Sequence, residues 1–70
     1  MSGPEVDESI TYFHQENDEI FECVVLGVRR QKQGGIRYTI AYVGNEDTEV
    51  ELDEHEMKDI LNRRVFMGPE

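Results

Sequence analysis

Tryptophan is missing from this sequence, cysteine occurs once, at position 23, and bases are scarce: seven Lys and Arg stand against sixteen Asp and Glu. Each shortage removes a class of function. A lone Cys23 has no partner within the chain, which excludes an internal disulfide and a cysteine-rich zinc site. It reads instead as a small buried apolar residue in a reducing, intracellular setting. His14 and His55 lie too far apart in sequence to form a local ligand pair, so no metal and no cofactor is expected. The longest apolar stretch, Cys23 to Val28, is far too short to cross a bilayer. The polar, acidic start MSGPEVDES has none of the basic and apolar regions of a secretory signal. A net charge of −9 gives little grip on a phosphate backbone, because that affinity comes from Lys and Arg displacing counterions. We therefore expect no strong direct nucleic-acid binding and no membrane partner.

What is present is charge sorted into blocks. Up to Glu22 the chain carries seven acids and no Lys or Arg; from Cys23 to Val43 it carries Arg29, Arg30, Lys32 and Arg37 and no acid. From Gly44 to Asp59 eight acids face Lys58 alone. Such a surface attracts a cationic partner or imitates an anionic one. Seventy residues make one domain, close to the lower size limit for folding without staples.

Residues 1–7 lack periodicity and read as a disordered leader, and 68–70 as a disordered tail, around one domain at 8–67. Ile10 to His14 reads as a short strand, followed by a polar turn at Gln15 to Asp18. Glu19 to Arg30 suits a longer strand that bends near Gly27, and Gly34-Gly35 supplies positive φ in the next turn. Between Ile36 and Tyr42 the alternation is clear: Ile36, Tyr38, Ile40 and Tyr42 point one way, Arg37, Thr39 and Ala41 the other. Gly44 to Asp47 is the expected next turn. Thr48, Val50 and Leu52 then alternate with Glu49, Glu51 and Asp53. After that the period changes. Asp53 and Glu56 have capping-box spacing, and Met57, Ile60 and Leu61 form one stripe of a short helix with Arg63 and Arg64 at its end. Val65-Phe66-Met67 is a candidate last strand. The expectation is a mainly β fold: a small antiparallel barrel of four to five strands, with a short helix before the last strand.

The stretch YTIAYVGNEDTEVELDEHEMKDI from Tyr38, with ESITYFHQENDEIFECVVLGV upstream, resembles the Tudor and chromo-barrel group of SH3-like domains over roughly residues 8 to 61. That group binds methylated Lys or Arg in a cage of aromatic rings through cation–π attraction. The resemblance implies a nuclear, chromatin-type reader of a basic peptide such as a histone tail. By position it assigns Tyr42, Phe21, His14 and its neighbour Phe13 to the ring contacts. Glu46 or Asp47, in the turn after the third strand, would meet the cation. Here a Trp is replaced by His14, and the position near Glu49 is not aromatic.

The residues alone support a similar role. Glu49 and Glu51 project from one strand face, where a basic peptide would meet both. Arg29, Arg30, Lys32 and Arg37 read as counter-charges to the acidic strand opposite. No nucleophile–base pair and no phosphate loop has a workable spacing, so catalysis is not expected. A different class of function competes: a small viral or phage-type inhibitor whose carboxylates mimic DNA and block a nucleic-acid-binding protein. A third reading is a structural subunit that pairs through an open barrel edge.

Overall fold

The computed structural model describes residues 3–14 and 19–65. Its architecture is mainly β: one four-stranded antiparallel sheet in the order β1-β2-β3-β4, followed by one helix. The strands are β1 (Ser9–Phe13), β2 (Ile20–Arg30), β3 (Ile36–Tyr42) and β4 (Asn45–Leu52), and the helix is α1 (Glu54–Asn62).

Period-two alternation decides what is buried. Ile10 and Tyr12 of β1, Cys23 and Val25 of β2, Tyr38 and Ile40 of β3 and Leu52 of β4 form the core on one face. Cross-strand register aligns them: Ile10 opposes Cys23, Val25 opposes Ile40, and Tyr38 opposes Leu52. β2 bends where expected, with its register against β3 slipping between Val25 and Gly27. The β2–β3 turn uses positive φ at Gly34 and Gly35.

The next turn differs from its expected position. It falls on Val43-Gly44, and β4 begins at Asn45, directly opposite Tyr42. Gly44 adopts φ 95°, the left-handed conformation a two-residue hairpin turn favours. Register then jumps, since Ala41 opposes Glu49, so Glu46, Asp47 and Thr48 bulge out of the ladder. The acids expected in a turn thus sit on a bulged strand.

The helix starts as its spacing predicts. The Asp53 carboxylate accepts from the Glu56 N–H at 2.8 Å, and the Glu56 carboxylate accepts from the Asp53 N–H at 2.9 Å. Met57 and Ile60 bury against the sheet, with Leu61 half-buried beside them. After α1 the chain returns to β1. Arg64 bridges Tyr12, the Val65 N–H donates to the Thr11 carbonyl at 2.8 Å, and the Phe13 N–H donates to the Arg63 carbonyl at 3.1 Å. Phe66 and Met67, the rest of the expected last strand, lie outside the described residues, as do Met1, Ser2 and the tail 68–70. Arg64 is less a dipole partner for the helix than a clasp: it donates to Glu8 (3.2 Å) and to the Ser9 carbonyl (3.1 Å).

The leader is described from Gly3 onward and lies against the sheet. Pro4 is buried, and the Asp7 N–H donates to the Val25 carbonyl at 2.7 Å. A Cβ at Gly3 would collide with the Tyr38 hydroxyl. Proline loses little entropy on ordering, which helps a short segment to dock.

Candidate functional site

The end of β1, the start of β2 and the β3–β4 turn lie at one end of the sheet, and there the rings gather; the turn expected at Gln15 to Asp18 lies outside the described residues. Phe21 lies at the centre. It stacks on His14 with centroids 4.7 Å apart, and it meets Tyr12 and Tyr42 edge-on at 6.1 and 5.8 Å. Register explains the grouping: Tyr12 opposes Phe21, Cys23 opposes Tyr42, and His14 lies two residues beyond Tyr12, facing the same way. The hydroxyls of Tyr12 and Tyr42 share a hydrogen bond of 2.9 Å.

Of the ring residues expected from sequence, Phe21, Tyr42 and His14 come together and Phe13 does not. Phe13 faces the opposite side of the sheet, paired with Ile20, and both are exposed. Tyr12 was not among the expected residues. The alternation inside Ile10-Thr11-Tyr12-Phe13 carries the signal, because it sets Tyr12 on the side of Ile10 and sends Phe13 outward.

The acids divide in the same way. Glu46, Asp47 and Glu49 are exposed, and among the described residues none has a Lys or Arg within ion-pair distance. The Glu46 carboxylate accepts from the Gly44 N–H at 3.1 Å. Glu51 is different, held between Arg29 (3.4 Å) and Arg37 (4.0 Å). Of the four bases expected to offset the acidic strand, Arg29 and Arg37 do so at Glu51 alone, and Arg30 and Lys32 make no ion pair among the described residues. Glu49 and Glu51 are therefore not equivalent.

A shallow groove of about 330 Å³ runs from the rings to α1, lined by Tyr12, His14, Glu56, Asp59, Ile60 and Arg63 among others. It adds the two helix acids to the surroundings of the ring cluster. Asp59 pairs with Arg63 at 3.3 Å, and the Glu56 carboxylate serves the helix cap. The His14 N–H donates to the Glu19 carbonyl at 2.7 Å, whereas its Nδ1 is buried without a partner among the described residues.

Burial, reinforced by the hydrogen bond to Tyr42, pushes the Tyr12 phenol well above its ordinary value. Burial chiefly, and Glu22 next, push the Cys23 thiol up to about 11 against the opposing pull of Arg64. Both groups are neutral at ordinary pH, and neither supplies an activated nucleophile. Among the described residues no group of three or more His, Cys, Asp or Glu could hold a metal ion, and no helix is long and apolar enough to cross a membrane. No protein-family model, no curated protein and no solved structure matches this chain.

Proposed function

We propose that this chain is a non-catalytic interaction module of the SH3-like, Tudor-like barrel type, which binds a basic peptide at its ring-bearing end. Support for the barrel comes from the antiparallel run of four strands, the helix after them, and the return of residues 63–65 onto β1. The observation that carries the function is the cluster of Tyr12, His14, Phe21 and Tyr42 at the end of the sheet where the β3–β4 hairpin carries the uncompensated Glu46 and Asp47, with Glu49 beside them on the outer face.

Rings and carboxylates together suit a Lys or Arg side chain, through cation–π attraction and screened Coulomb attraction. The rings pack on one another rather than around an open box, which favours contact at the exposed sides of Phe21 and Tyr42 over deep capture of a methylammonium. A histone tail or an Arg/Lys-rich segment of a chromatin partner, methylated or not, has the required chemistry, and a nuclear setting follows from that reading. Affinity should be micromolar or weaker, since an extended tail loses freedom on docking to a shallow surface. The DNA-mimic reading has less support, because Arg29 and Arg37 interrupt the acidic outer face at Glu51.

Arrays of basic peptides, methylated and unmethylated, test the proposal. The exposed pair Glu46→Lys and Asp47→Lys should leave the fold intact and weaken binding about tenfold, with the loss shrinking as salt rises. Equal binding by this variant, or indifference to basic peptides, would overturn the reading.

A further inference from the structure

The strand order leaves β4 at the margin of the sheet. Among the described residues its ladder is made with β3 alone, and no backbone hydrogen bond from another segment reaches its outer side. Alternate N–H and C=O groups of a marginal strand point away from the sheet and form a template for one more strand. β1, at the opposite margin, is already engaged by residues 63–65. Among the described residues the open edge is β4.

Charge selects the occupant. A second copy paired through β4 would set Glu46, Asp47 and Glu49 of both chains against each other, and like charges on adjacent strands are unfavourable. A basic strand meets the opposite situation. The two faces of β4 also differ: Glu49 projects outward, exposed and without a cation, while Val50 is half-buried on the core side. Glu51 is already satisfied by Arg29 and Arg37, so it contributes little selectivity.

We propose that the regular part of β4, from Glu49 to Leu52, takes an extended peptide as a fifth strand. Lys or Arg of that peptide lies on the outer face beside Glu49, and an apolar side chain lies on the inner face beside Val50. The recognised sequence therefore alternates basic and apolar residues with period two, unlike a simple cationic tail. This inference rests on the basic-peptide reading above and deepens it to a mode of binding.

The test titrates isotope-labelled protein with a capped peptide of alternating Lys and Val, about eight residues long, enough to cover a typical strand. Two analogues carry backbone N-methyl groups on the Lys residues or on the Val residues. In an added strand only alternate N–H groups face β4, so one analogue should bind about tenfold more weakly and the other within about twofold of the parent. Amides from Glu49 to Leu52 should gain protection from hydrogen exchange, and Glu49→Lys should weaken the parent peptide. Strand addition is overturned, with the basic-peptide reading intact, if both analogues bind alike or the signal changes are confined to Phe21 and Tyr42. It is also overturned if a block peptide of the same composition binds equally well, or if the free protein dimerises through β4. Failure of every basic peptide to bind would overturn both.

Discussion

Cys23 and Tyr12 are the side chains whose chemistry departs most from that of the free amino acid. Both are neutral acids held so by burial, so each is raised in the folded state and contributes stability that is present below its unfolded value and lost as pH rises through the folded one. For Cys23 that window opens near pH 9 and runs to about 11. The melting temperature should hold through neutral pH and fall across that range, with Tyr12 adding to the loss at higher pH. A Cys23→Ser variant should show a shallower alkaline fall. The same burial predicts slow labelling of the native thiol by a disulfide reagent at pH 8, at least about a hundredfold slower than in denaturant, where the local barrier of opening disappears. Tyr12→Phe removes the hydroxyl contact with Tyr42 and should cost about 1 kcal/mol in denaturant titrations, because the half-buried Tyr42 hydroxyl can still turn to water.

Local signals in the sequence account for most of the elements. The alternation at Ile36–Tyr42 and Thr48–Leu52, the glycine pair at 34 and 35, and the Asp53/Glu56 cap each act within a few residues, and each is found where its spacing puts it. The β3–β4 turn falls earlier than Gly44 to Asp47 because Tyr42 pairs with Asn45, which leaves Val43-Gly44 as a two-residue loop with the positive φ on its glycine. The ring cluster was only partly legible. Tyr12 and His14 join Phe21 through the β1–β2 register, and register depends on a turn that lies outside periodicity. Nor could sequence separate Glu49 from Glu51, since the difference is made by Arg29 and Arg37 arriving across two strands. At this scale Asp53→Ala should cost about 1 kcal/mol and lower helical content, because it removes the carboxylate that accepts from the Glu56 N–H while the backbone N–H of residue 53 can still donate to Glu56. Gly44→Val, forcing a β-branched residue to positive φ, should destabilise by about 1–2 kcal/mol in the same assay.

For the whole molecule, a thin core and a large charge imbalance set the limits. The fully buried Ile40 and Met57 join the sheet to the helix, and replacing either by Ala should remove about 2–5 kcal/mol. For a domain of this size such a loss approaches the entire stability, so circular dichroism should report a largely unfolded chain. Net charge −9 on so small a body makes its own repulsion a destabilising term. Raising salt from about 20 mM to about 500 mM should therefore raise the melting temperature while it weakens capture of cationic peptides. Opposite responses of stability and binding to one variable would be a signature of this design.

The clasp made by Arg64 has a consequence for how the molecule comes into being. The first strand takes its outer neighbour from residues 63–65, some fifty positions later in translation. A chain lacking that stretch would hold β1 with an unsatisfied flank. Folding should accordingly wait until Val65 is free to dock, and a chain truncated before Arg63 should be cut readily by protease near Ser9.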